Sequence, residues 1–215
     1  KDGKKCNSEL HTDLPESLSA KLTLKEFEET WINMPDMFDS KENTEESARK
    51  FSDSLAAAHN TGQKVIPVVV DSYGGQVYSL MAMIAAIKDA ELPVATVVEG
   101  KAMSCGAILF SFGEQGLRFM DSDATLMIHD VSSMDRGKVE ELKASTKETE
   151  RLNDKVYKMM ARNCGKKDDY FMKLIDSKKH ADWFLDATEA KKYNLANHLR
   201  IPTMSINVNV DIEVE

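Results

Sequence analysis

Short apolar runs alternate with helical patterns through the middle of the chain at intervals of about 20 to 30 residues, and this alternation limits the fold more than any other feature. Residues 65–70 form an apolar run bounded by turn residues, the pattern of a buried strand. Pro67 cannot donate to a ladder, so the strand is expected to have a free side there or a bulge. Gly74 and Gly75 then lead into a helix over 77–88, Pro93 closes the connection, and 94–98 reads as the next buried strand. A helix over 104–112 and short strands over 117–120 and 124–128 continue the series. Strand, helix and strand in this order imply βαβ units with right-handed crossovers, so the fold class is α/β with one core.

The flanks are less regular. Residues 1–22 are polar, carry Pro15 and read as an arm. Residues 22–32 partly alternate, as a strand does. Thr44 followed by Glu45 and Glu46 opens a helix that runs to His59 and stops at Asn60-Thr61-Gly62. A long charged helix over 138–162 keeps Val139, Leu142, Leu152, Val156 and Met159 on one narrow stripe. Such a stripe predicts a projecting helix that completes its burial against a neighbour. Residues 205–215 alternate strictly, with Ile206, Val208, Val210, Ile212 and Val214 on one face, and predict a one-sided strand. The expected organisation is an arm over 1–22, one domain over 23–200 and a β tail over 201–215.

A chain of 215 residues with 42% hydrophobic and 30% charged residues can bury one ordinary globular core. Its formal charge of -8 argues against a nucleic-acid footprint, because phosphate binding needs clustered Lys and Arg. Lys166-Lys167 and Lys191-Lys192 are interleaved with acids and read as solvated faces. Cys6, Cys105 and Cys164 match neither a disulfide framework nor a zinc site, which fits a reducing compartment. No apolar run approaches the roughly 18 to 20 residues of a membrane span, so the expectation is a cytoplasmic protein without membrane contact. Met81, Met83, Met103, Met159 and Met160 fall at helical spacings and read as core filling or adaptable subunit contacts.

Three strand ends bring chemistry-bearing residues together. They are Asp71-Ser72-Tyr73-Gly74-Gly75, the stretch Gly100-Lys101-Ala102-Met103-Ser104-Cys105-Gly106-Ala107, and Met127-Ile128-His129. Carboxyl ends of strands are where ligands gather in α/β sheets. Each stretch alone has a plain explanation: a Gly pair makes a tight turn, and a Ser at a helix start is usually a cap. Together they supply what acyl transfer needs. A serine at a strand-to-helix turn exposes its Oγ, and the following N–H, that of Cys105, points from the helix start toward developing negative charge. Gly75 suits the second oxyanion donor because it has no Cβ to hold a carbonyl away. Serine also needs a base, and of five histidines only His129 ends a buried strand. Position alone leaves His129 open between a catalytic base and a core histidine.

The nucleophile stretch around Ser104 resembles that of Clp proteolytic subunits, and Leu126-Met127-Ile128-His129 resembles their histidine segment. The turn at residues 71–75 is similar to the family's Asn-Ser-Pro-Gly-Gly, and the spacings from Gly75 to Ser104 and from Ser104 to His129 match without a gap. Gly137 and Gly165 fall where the family has glycines before and after its handle helix. The family's aspartate precedes a Ser-x-Glu-Ala-like motif, matched here by Asp182-Trp183-Phe184-Leu185-Asp186-Ala187-Thr188-Glu189-Ala190, which assigns the orienting carboxylate to Asp182 and makes Asp186 its rival. Departures are Tyr73 for proline, Asp130-Val131 for Gln-Pro after the histidine, a few extra residues between Gly165 and Asp182, and an unmatched N-terminal arm. They suggest a divergent, phage-type branch.

The resemblance implies a serine endopeptidase. Ser104 would be nucleophile, His129 general base and Asp182 its orienting partner, with backbone N–H groups of Gly75 and Cys105 as oxyanion hole. It implies no metal and no organic cofactor. It further implies homo-oligomeric heptameric rings stacked in pairs through the handle helix, peptide or unfolded protein as substrate, and an AAA+ unfoldase as a candidate partner. Two other readings stay open: a noncatalytic ring subunit, and a crotonase-like acyl-CoA enzyme that uses paired oxyanion N–H groups without a serine nucleophile.

Overall fold

The computed structural model describes residues 32–35, 44–60, 63–132 and 136–203. Among these, seven strands and six helices alternate. Strand β1 is Ile32–Pro35, helix α1 is Thr44–His59, β2 is Ile66–Asp71 and α2 is Val77–Asp89. Strands β3 and β4 are Val94–Val98 and Lys101–Met103, α3 is Cys105–Phe110, β5 is Arg118–Met120 and β6 is Thr125–Ile128. Helices α4, Val139–Asn163, and α5, Tyr170–Ser177, precede β7, Trp183–Leu185, and α6, Ala187–Lys192.

Two small sheets result. The first runs β1-β2-β3-β5 with every pair parallel, as βαβ crossovers require. Pro67 is registered with Ala95 of β3, and the described register of β1 starts one residue later, with Ile32 opposite Val68. The second sheet runs β4-β6-β7, with β4 and β6 parallel and β7 antiparallel to β6. A bridge between Ser72 and Ala102 joins the end of β2 to β4, so the sheets meet at the Gly74-Gly75 turn.

The expected strands and helices over 44–128 are present within a residue or two, while β4, α5, β7 and α6 had no counterpart in the sequence reading. Of the strand expected over 22–32 only Ile32 is described, as the first residue of β1. The arm and the alternating tail over 205–215 lie outside the described residues. The single expected core divides into two clusters. The larger lies beneath α1, α2, α3 and the inner half of α4, around Phe51, Leu80, Phe110, Leu126 and Val156. The smaller covers the opposite face of the first sheet, where Val69, Ala95, Val97 and Phe119 pack with Val65, Leu117 and Ile201. A sheet with both faces apolar needs a cover on each, which explains the near-continuous apolar strands.

Helix α4 is buried at its C-terminal half through Leu152, Val156, Tyr157, Met160 and Ala161. Its N-terminal half projects, leaving Val139 at 65% exposure and Leu142 exposed as well. The stripe read from sequence thus splits: Met160 takes the deep position, Met159 is only partly buried, and Tyr157 joins the core. Arg118 of β5 is fully buried and staples this end of the molecule, donating to the carbonyls of Gly113 at 3.3 Å, Asn163 at 3.1 Å and Asn194 at 3.0 Å. Among the described residues no helix is long and apolar enough to cross a membrane.

Candidate active site

The second sheet delivers the candidate residues. Strands β4 and β6 are neighbours in parallel register, Met103 beside Met127, so the residues just beyond both carboxyl ends emerge side by side. Strand β7 is antiparallel, with Trp183 opposite Ile128, so Asp182 comes into register with His129 from the other direction. Ser104, His129 and Asp182 therefore follow or precede three adjacent strands of one sheet.

Ser104 occupies the turn between β4 and α3 with φ 53 and ψ -120. A non-glycine residue in this region is strained and persists only where its surroundings fix it. Here its N–H donates to Met127 O at 2.8 Å, tying the turn to the histidine strand. Although Ser104 holds the N-cap position of α3, its side chain makes no cap. Instead the Oγ lies 2.8 Å from Nε2 of His129, the contact a general base needs with its nucleophile.

The carboxylate of Asp182 lies 3.8 Å from His129 Nδ1 and is 57% exposed, beyond hydrogen-bond length but on the side of the ring facing away from Ser104. The rival Asp186 is occupied elsewhere: its side chain caps α6 by accepting from Glu189 N at 2.8 Å. The remaining described histidines also have other duties. His59 accepts from the Glu91 N–H at 3.1 Å at the end of α1, and His198 stacks on Phe119 with centroids 4.8 Å apart.

The glycine turn lies over Ser104. Ser72 Oγ accepts from Gly74 N at 3.0 Å, and Met103 N donates to Ser72 O at 2.9 Å, so the turn is bound to β4. A Cβ on Gly74 would stand 2.6 Å from Ser104 Cβ, so no larger residue fits there in this conformation. Gly75, expected as an oxyanion donor, adjoins this contact, and its carbonyl accepts from Cys105 Sγ at 3.1 Å. Burial pushes the Cys105 thiol up to about 11, so it stays neutral at pH 7 and serves packing rather than nucleophilic chemistry. Beside the turn, exposed Tyr73 lies under Lys101, whose Nζ is 4.3 Å from the ring centroid and 2.7 Å from Asp71 Oδ1.

Several residues around His129 were missed by the sequence reading. Tyr157 of α4 donates its hydroxyl to the His129 carbonyl. Asn153, one turn earlier, accepts from Val131 N at 2.8 Å and donates to Asp130 Oδ1 at 2.9 Å. His180, which ends no strand, places Nδ1 2.6 Å from Asp130 Oδ2. The i, i+4 spacing of Asn153 and Tyr157 was a visible signal, but two of their partners, the Val131 N–H and the His129 carbonyl, are main-chain groups that left no trace in sequence.

A family model described as Clp protease matches residues 25–201. The ATP-dependent Clp protease proteolytic subunit 1 of Rhodopirellula baltica is 31% identical over 141 residues, which cover 66% of this chain and 60% of that relative. The aligned region thus spans less than two thirds of the relative's length. With a match that takes in every described helix and strand of an α/β fold, the chain belongs to the Clp protease family.

Proposed function

We propose that the chain is a serine endopeptidase in which Ser104 is the nucleophile. The observation that carries this reading is the 2.8 Å contact between Ser104 Oγ and His129 Nε2 at the ends of two neighbouring strands. His129 takes the hydroxyl proton as Oγ attacks a peptide carbonyl. The tetrahedral oxyanion is held by the N–H groups of Gly75 and Cys105, and His129 then gives the proton to the leaving amine. Water, deprotonated by the same imidazole, hydrolyses the acyl-enzyme and returns Ser104. Asp182 fixes the histidine tautomer and stabilises the imidazolium.

The chamber and partners follow from the family. The projecting half of α4, with exposed Val139 and Leu142, suits contact with a second copy, as in heptameric rings stacked in pairs. Such a ring would admit short peptides or unfolded chains, with an AAA+ unfoldase as candidate partner and the cytoplasm as compartment. The chemistry assigned to Ser104, His129 and Asp182 calls for no metal or organic cofactor. A noncatalytic ring subunit is the second reading, favoured by the 3.8 Å gap between Asp182 and His129.

Labelling with a fluorophosphonate serine probe decides between them. Modification of the Ser104 peptide that disappears in Ser104→Ala is the expected result. A folded protein that stays unlabelled, with and without candidate activators, would move the assignment to the noncatalytic reading.

A further inference from the structure

We propose that His180 and Asp130 form a brace that positions Asp182 against His129, an inference that rests on reading Ser104, His129 and Asp182 as the triad. Asp130 directly follows His129, and His180 precedes Asp182 by two residues. The same two segments are thus linked twice: loosely by Asp182 and His129 at 3.8 Å, and tightly by His180 Nδ1 and Asp130 Oδ2 at 2.6 Å.

The brace is anchored at both ends. Asp130 is held through its other oxygen by Asn153 Nδ2 at 2.9 Å, and the same Asn153 accepts from Val131 N at 2.8 Å, so α4 fixes the position of the carboxylate. On the other side, His180 Nε2 lies 3.4 Å from Asp176 Oδ1 near the end of α5. Between α5 and β7 the backbone passes through two consecutive left-handed residues, Lys179 at φ 59 and His180 at φ 58. Two such non-glycine residues in a row are unfavourable and persist only where something holds them. Backbone bonds from Lys179 N to Asp176 O and from His180 N to Ile175 O supply part of that hold, and the imidazole between two carboxylates supplies the rest.

Asp182 is exposed and follows this strained connection, so its distance from His129 depends on where the connection sits. The hydrogen bonds and ion pairs of these two side chains, His180 and Asp130, run to each other, to Asn153 and to Asp176, which makes them positioning residues. A misplacement of about 1 Å in a catalytic group can cost 10²-fold in rate.

The test measures turnover of a short fluorogenic peptide and the rate of fluorophosphonate labelling on the assembled full chain. His180→Ala and Asp130→Ala are each expected to lower kcat by about 10- to 100-fold with KM nearly unchanged, and the double variant is expected to be no worse than either. His180→Asn restores most of the rate, because its amide can donate near the Nδ1 position and Asn tolerates the left-handed conformation. In an Asp182→Ala background His180→Ala has no further effect, since nothing remains to be positioned; general structural damage would lower that residual rate again. Unchanged kcat in His180→Ala, or additive losses with Asp182→Ala, overturns the brace while leaving the triad intact. A wild-type chain that never labels overturns the triad, and the brace with it.

Discussion

Gly74 and Ser104 meet so closely that a methyl group on the glycine would stand 2.6 Å from Ser104 Cβ and 2.9 Å from Met103 O, at a φ of +104. The glycine is therefore fixed by its neighbour and by its own backbone. Gly74→Ala is expected to displace the nucleophile turn, reduce fluorophosphonate labelling by about 10²-fold or more, and cost about 2 kcal/mol or more of stability. Gly116 gives the control: its φ is +91, but nothing lies within 4 Å of an added Cβ. Gly116→Ala should cost only about 1 kcal/mol of backbone strain and leave labelling untouched. Denaturant unfolding and labelling rates on the two variants separate contact from strain.

On the proposed mechanism Ser104 and His129, 2.8 Å apart, act as one unit. Ser104→Ala and His129→Ala should each lower kcat on a peptide substrate by about 10⁴-fold or more, and the double variant should be no worse. Asp182 is more exposed and more distant, so Asp182→Ala should cost less, about 10²- to 10³-fold. A loss at Asp182 equal to that at Ser104, measured under single-turnover conditions, would mean that the carboxylate closes on His129 during the reaction.

The place of His129 was legible because it follows the apolar run over 124–128, which is distinct in sequence. Ser104 came from the small-residue stretch at a helix start flanked by glycines, and the register of β4 with β6 brings it beside His129 in space. Asp182 came from motif resemblance alone. The strand that carries it, β7, is only three residues long and keeps Phe184 exposed between buried Trp183 and Leu185, too short for any period to stand out. The same holds for β4, which lies between two turn signals. Residues that support His129 from α4 were hidden because the helix pattern shows which face is apolar but not which polar groups on it meet main-chain partners. Tyr157 was overlooked in this way, as an aromatic residue within a charged helix. Buried Arg118 was likewise unreadable, since its partners are carbonyls from three separate segments.

Tyr157 links α4 to the carbonyl of His129, and burial holds its phenol well above the usual range, so it remains a donor at all working pH values. Tyr157→Phe keeps the ring and removes the donor, leaving a carbonyl without this partner. The expected cost is about 1–2 kcal/mol in urea unfolding, with kcat several-fold lower and KM unchanged. A raised KM with kcat unchanged would assign Tyr157 to substrate binding instead of support of His129.

Cys105 and Cys164 make stability depend on pH at the alkaline end. Both thiols are buried, and burial pushes each from an ordinary 9.0 up to about 11. A raised value in the folded chain means that the folded state keeps its protons after the unfolded state has released them. The stabilisation is complete below pH 9 and is lost as pH rises from 9 through 11, by roughly 2–3 kcal/mol for each thiol. Urea unfolding at pH 8 and pH 11 should therefore show a larger loss in the natural sequence than in the double variant Cys105→Ala, Cys164→Ala. That variant starts lower because two small cavities open in the core, but its stability falls less over the same interval. Parallel declines in the two proteins would mean that the thiols ionise as readily in the folded chain as in the unfolded one, and that other groups set the alkaline limit.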